Sequence, residues 1–357
     1  MNIQTFLLIL SLALGLEQLP SSIHVEGEKF HVQGIALDRQ EECLYCSFTS
    51  AFFKTDLNGE IIASVTGING HLGALTWDPE GRKVYASLEF KDDAIGAGIS
   101  RTLGKNAYSR SQTEFCIAVI DVDRINGMDV PADSVMTLVR VEDAIRDYLA
   151  EVEVDGKTFE HRYACSGIDG ITIGPEFGKR RKDRRCLYVA YGIYGDVDRT
   201  DNDYNVILCY DLENLCRPVH KYFVFTGNTT WGVQNLAYDS HTDKLFLAVY
   251  RGRKESYPNY SLYSIDMSQT PRRAPLDNVP YQKGKVDQVV LSDSGLCDSA
   301  TGIHGWQFEW GSTGFCPLGD GLYYISHSGV ADGSNYCNAV LYRWNGSPEQ
   351  AFDQVIR

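Results

Sequence analysis

The stretch Gln33-Gly34-Ile35-Ala36-Leu37-Asp38 places a Gly, an apolar-small-apolar run and a closing Asp in immediate succession, and the same layout returns along the chain. Gly73-Ala74-Leu75-Thr76-Trp77-Asp78, Asp169-Gly170-Ile171-Thr172-Ile173-Gly174, Gln234-Asn235-Leu236-Ala237-Tyr238-Asp239 and His304-Gly305-Trp306-Gln307-Phe308-Glu309 align with it. Most read as a short strand closed by a turn residue, because an Asp side chain accepts backbone N–H groups just beyond it and Gly adopts turn dihedrals without steric cost. A second strand follows in each unit, at 43–48, 83–88, 186–191, 244–249 and 321–327, with an aromatic at the corresponding place: Tyr45, Tyr85, Tyr188, Phe246 and Tyr324.

Third strands are predicted at 51–56, 115–121, 205–211, 261–266 and 339–344, and fourth strands at 60–66, 134–141, 221–226, within 285–292 and at 350–356. Four short antiparallel strands per unit, repeated around an axis, make an all-β propeller. Five units predict a single ring of five four-stranded blades; a sixth stays open, because 1–30 and 267–297 have room for degenerate strands. Val141, Ala144, Ile145, Tyr148 and Leu149 recur at helical spacing, so a small helical insertion is predicted near 141–150.

The first repeat resembles blades of the broad propeller group that includes the NHL-repeat, gluconolactonase-like and phytase-like esterase families. The resemblance implies the fold and no particular chemistry. In gluconolactonase-like members an acidic residue at the first inner strand helps hold a divalent cation, and this chain has Gln33 nearest that position.

The 357 residues, 43% of them hydrophobic and 22% charged, suit a globular chain with a substantial core. A formal charge of -14 sets the overall field against a nucleic-acid partner. The apolar run at 6–14 reads either as the core of a leader ending near residue 15 or as an N-terminal helix, with an extracytoplasmic location the favoured reading; the propeller then occupies 16–357. No stretch is long and apolar enough to be an integral membrane segment. The ten cysteines read as mostly structural: Cys43 and Cys186 take matching strand positions, and Cys43 and Cys46 point to opposite faces. Asn228, Asn259 and Asn345 begin glycosylation sequons.

In a four-stranded blade, connections entering strand one and connections between strands two and three share one rim. The long segments 91–114, 192–204, 251–260 and 328–338 and the insertion 142–166 all fall on that rim, so function is expected there. The first lacks apolar periodicity and reads as a loop; the second reads as a helix packed on the rim or as a lid. The basic run 178–185 falls on the far rim and reads as a solvated turn.

Repeat register then places side chains. The residue before the Gly of each inner strand, Gln33, Gly73, Asp169, Gln234 and His304, forms a ring at the channel mouth, with His31 and His71 one layer above and Glu89 and His327 on the same rim. Mixed nitrogen and oxygen donors suit a divalent cation of the calcium or zinc class, with His31, His71 and Asp169 as ligands. Asp169, His304 and Glu89 are the catalytic candidates; Gln33, Gln234, Trp231, Tyr250, Arg251 and His327 are the substrate-binding candidates. The structural alternative is a ring of polar groups that only bond one another and channel water. Asp196 to Asp203 is a weaker calcium-loop candidate, with a solvated acidic loop as the default. No phosphate-binding loop, nucleophile elbow or His-Glu-x-x-His occurs. The readings are a metal-assisted hydrolase or lyase of a small polar or carbohydrate-like substrate, a non-catalytic propeller binding a glycan, small ligand or protein, and a scaffold using the blade sides.

Overall fold

The computed structural model describes residues 19–27, 29–178 and 184–356. The apolar run at 6–14 and residues 179–183 of the basic run lie outside the described residues. Five inner strands, Gly34–Asp38, His71–Asp78, Cys165–Pro175, Thr229–Asp239 and Phe315–Gly319, lie side by side in that order, and the last packs against the first. The ring is therefore closed, with five blades.

The inner strands that end in Asp hand over to the next strand by the turn that residue builds. Asp38 accepts from the N–H of Gln40 at 3.0 Å and of Glu41 at 3.2 Å, and Asp239 accepts from Thr242 N–H at 2.9 Å, fixing the hairpins at both places. Blades one to three continue through four antiparallel strands, as in Gly34–Asp38, Cys43–Ser47, Phe52–Asp56 and Ile61–Thr66. Both faces of each sheet are covered by a neighbouring blade. Along Cys43–Ser47, Cys43 and Tyr45 enter the core shared with blade two, whereas Leu44 and Cys46 enter the core shared with blade five. That alternation makes the middle strands apolar throughout and gives the small cysteines a packing role. All ten cysteines are free thiols.

The ends of the chain close the last blade. Ser22–Glu26 pairs with the stretch of Ser334–Trp344 from Tyr336 to Val340, and Phe352–Gln354 pairs with Tyr342 to Trp344 of the same strand. The N-terminal strand thus completes blade five, and no sixth blade exists among the described residues. Blade four has three strands, not four: Val286–Val289, expected at its edge, runs parallel to His220–Phe225 in blade three. The open edge of Leu262–Asp266 is met by Trp306, whose N–H donates to Leu262 O at 2.9 Å.

This last contact corrects the fifth repeat. His304–Gly305 pairs with Leu296–Cys297 beside blade four, and the inner strand of blade five is Phe315–Gly319, so Thr313 takes the place assigned to His304. The cause is turn length. Strands one and two are separated by four residues after Asp38, Asp78 and Asp239, and a second strand starting at Leu322 requires an inner strand ending well after Glu309.

The helical insertion is present as Glu142–Tyr148, with Ala144, Ile145 and Tyr148 buried in the core between blades two and three. It is packed on the rim and is not a lid. The segment 91–114, read as a loop, contains a helix at Ala94–Thr102 instead. Asp93 caps it by accepting from Gly96 N–H at 2.9 Å, and this satisfied donor offsets the poor helix propensity of Gly96 and Gly98. No helix among the described residues is long and apolar enough to cross a membrane.

Candidate functional site

A cavity of about 440 Å³ opens at the rim carrying the long insertions. The inner strands supply Gln33, Asp169 and Gln234 from equivalent positions, so the ring predicted from register exists in three of its polar members. Pairing is irregular where Asp169 and Gln234 sit, with shifts between Ile168 and Ile171 and between Val233 and Asn235. Bulges of this kind re-aim a side chain, here toward the axis. His31, Thr49, His71, Lys91 and Ser166 complete the polar lining, while Phe30, Ile95, Ile99, Trp231 and Tyr250 supply an apolar one.

At the floor, the ligand atoms of His71, Glu89 and Asp169 all lie within 4.8 Å of one another. His71 and Glu89 are directly opposed in the pairing of His71–Asp78 with Lys83–Phe90, which brings Nδ1 to 2.9 Å from Oε1. Lys91 Nζ sits 2.9 Å from the same Oε1 and donates to Ser166 O at 3.0 Å. The other carboxylate oxygen accepts from Ile168 N–H at 3.1 Å. Gly167 makes room for it: a Cβ there, already disfavoured at a φ of +132°, falls 1.8 Å from Glu89 Oε2.

These contacts separate the two carboxyls. Burial disfavours the charge of Glu89, but Lys91 and then His71 outweigh it, and Glu89 is held below its ordinary range. Burial also opposes the charge of Lys91, yet Glu89, followed by Asp93 and Asp169, holds it protonated well above the ordinary lysine range. Asp169 has no such partner. Its carboxyl is pushed up to about 7, first by burial and then by Glu89, against the weaker pull of Lys91, His71 and Gln234. One carboxylate is thus fixed as an ion, and the other exchanges its proton near neutral pH.

Of the metal ligands expected from sequence, His71 and Asp169 join the cluster but His31 does not. Its Nε2 lies 2.9 Å from Gln33 Nε2, burial and then His71 disfavour its protonation, and Glu89 takes the third position. Trp231 and Tyr250 line the cavity as expected. Three candidates lie elsewhere. His304 is on the small sheet beside blade four. Arg251 donates to Asn259 O at 3.0 Å. His327 stacks on Trp310 at 3.9 Å. Lys91 was missed, although it follows Glu89 by two residues and so shares its strand face. The acidic run is solvated only in its first half, where Asp196 and Asp198 are exposed. Asp201 and Asp203 are buried, paired with Arg199 at 2.8 Å and Lys254 at 2.6 Å, so cations of the chain already fill the place of calcium. Among the sequons, the Asn228 side chain is buried.

No family model and no curated protein matches the sequence. Among solved structures, the chain is similar to a glucose dehydrogenase at 9% identity and a TM-score of 0.39, covering 90% of this chain and 99% of that one. A luciferin-regenerating enzyme is similar at 12% identity and a TM-score of 0.36, covering 94% and 100%. The hydrazine synthase of Kuenenia stuttgartiensis is similar at 9% and 0.37; 83% of this chain is covered, and the chain spans 64% of that one. At these values the likenesses say nothing of this chain's chemistry, and its β-propeller fold is read from its own strand pairing.

Proposed function

We propose that the mouth is the active site of a hydrolase or lyase acting on a small polar substrate, with Asp169 as the group that moves the proton. The observation that carries this reading is the separation of two neighbouring buried carboxyls, Asp169 lining the cavity and poised near 7, and Glu89 behind it held ionised by Lys91. In hydrolysis, the oxygen of a water bonds to the acyl carbon while its proton passes to the Asp169 carboxylate. As the bond to the leaving oxygen breaks, Asp169 returns that proton to it. Lys91 supplies positive charge beside the developing negative oxygen.

A second reading is favoured by the compact donor set. One imidazole nitrogen and two carboxylates within 4.8 Å match what a divalent cation of the calcium or zinc class takes, with the cavity side open for substrate. Lys91 already contacts Glu89, so an entering cation has to share or displace the ammonium. In this reading the cation polarises the substrate oxygen.

The test is turnover of a panel of small esters and lactones by wild type and Asp169→Asn, each before and after chelation, with metal content measured. Loss of about 10² to 10⁴ in rate in the variant supports the assignment of Asp169. Metal-free protein retaining full activity selects the acid–base reading; activity restored only by added cation selects the second. Ligand binding without turnover in any form makes the propeller a non-catalytic binding module, and equal turnover by wild type and variant removes Asp169 from the chemistry.

A further inference from the structure

The polar floor accounts for only part of the mouth. Apolar side chains from separate parts of the chain line the rest of it. Ile95 and Ile99, one turn apart on the helix Ala94–Thr102, line the cavity beside Trp231 and Tyr250. Hydroxyl groups directed at these side chains would lack partners there, which is unfavourable.

The wall is also held in place. Trp231 has a φ of +63°, a left-handed conformation that a bulky residue rarely adopts, and Gly232 follows at +72°. Such strain persists only where the surroundings over-determine it, and it gathers at ligand clamps. Trp231 O accepts from Gln234 Nε2 at 2.9 Å, and its ring meets Tyr194 edge-on at 5.8 Å. Tyr194 in turn donates from its hydroxyl to Asp93 Oδ2 at 2.9 Å. The other oxygen of Asp93 caps the helix that carries Ile95 and Ile99. One carboxylate therefore ties the helix to the tryptophan side of the cavity, and the apolar wall is preorganised as a unit.

We infer that the mouth takes an amphipathic small molecule, with an aryl or alicyclic ring against Ile95, Ile99 and Trp231 and an oxygen-bearing polar group directed to Asp169 and His71. This deepens the proposed function by naming the substrate class of the same site, and it rests on that reading only for the fate of the polar end. The cavity, about 440 Å³, is at the small end of the range for enclosed ligand sites, which suits one ring and a short polar function.

The inference is tested by binding, independently of turnover. Benzamide, cyclohexanecarboxamide and acetamide share one polar group and differ in the ring; their affinities for the purified full chain are compared by ligand-observed NMR, with D-glucose as competitor. The ring compounds are expected to bind at least tenfold tighter than acetamide, since burying a ring against apolar side chains is worth that much or more, and glucose is expected not to displace them. In Ile95→Asn/Ile99→Asn the ring's advantage should disappear. Trp231→Gly is the second variant: glycine accepts the positive φ, so folding is retained while the wall is lost. Equal affinity for acetamide and benzamide, displacement by glucose, or a ring preference that survives in both variants overturns the inference. A ring preference that holds while Asp169→Asn leaves turnover unchanged overturns the catalytic reading and leaves this one standing.

Discussion

Replacing Asp169 by Asn keeps the shape of a fully buried side chain and removes its titration, so the variant measures what the poised carboxyl does to stability. In the unfolded chain Asp169 releases its proton near its ordinary 3.8; in the folded protein it does so near 7. Between those values the folded state binds the proton and the unfolded state does not. Stability contributed by this group is therefore present at low pH and is lost as pH rises toward 7. Each pH unit in that window carries about 1.4 kcal/mol, so the difference in unfolding free energy between wild type and Asp169→Asn changes by about 3 kcal/mol from pH 5 to pH 8. The change favours the variant at the higher pH. Glu89 has the opposite sign: its depressed carboxyl contributes stability above its ordinary 4.5 that is lost only at lower pH, outside this comparison. Urea unfolding of both proteins at pH 5, 6, 7 and 8 reads the quantity directly, and titrating groups remote from the cluster cancel in the difference. A difference that stays constant within about 0.5 kcal/mol across the series would refute the reasoning, since one full titration cannot hide within that margin.

Lys91→Met leaves Glu89 buried without its cation and is expected to cost about 3 to 5 kcal/mol; adding Glu89→Gln should recover much of the loss, and denaturant titration of the two single variants and the double closes the cycle. Gly167→Ala forces a Cβ into Glu89 Oε2 at a positive φ, so it should lower the melting temperature by several degrees, whereas Gly98→Ala, with open space around it, should not lower it. Val25→Asp places a charge in the fully buried core between blades five and one; calorimetry should show a loss of more than about 3 kcal/mol, because this strand completes the closing blade.

The blades were legible because strand length, turn aspartates and a recurring aromatic are local properties. The ring position was legible from one offset at Gln33, Asp169 and Gln234, although the connection after Pro175 is longer than the turns after Asp38 and Asp239. The fifth blade was misread because Gly305 and Trp306 imitate the pattern more closely than the true inner strand, which contains Pro317 and closes with the short turn at Asp320 and Gly321. The third member of the cluster needed pairing, not offset. Glu89 lies opposite His71 across two strands, while His31, at the equivalent position in its own repeat, bonds to Gln33. The helix over the mouth was not legible because Gly96 and Gly98 suppress helix propensity, and the cap that compensates depends on a single aspartate. The partner of Asp203, Lys254, lies far outside the acidic run, and that of Asp201, Arg199, lies within it, so only the second ion pair was within reach of the local sequence.

One buried carboxyl at the mouth, that of Asp169, exchanges its proton near neutrality. Carbon-13 labelling of aspartate carboxyls, with the Asp169 resonance identified by its loss in Asp169→Asn, measures that titration directly. A carboxyl midpoint near 7 is expected. A midpoint at or below the ordinary aspartate range near 4 would contradict it.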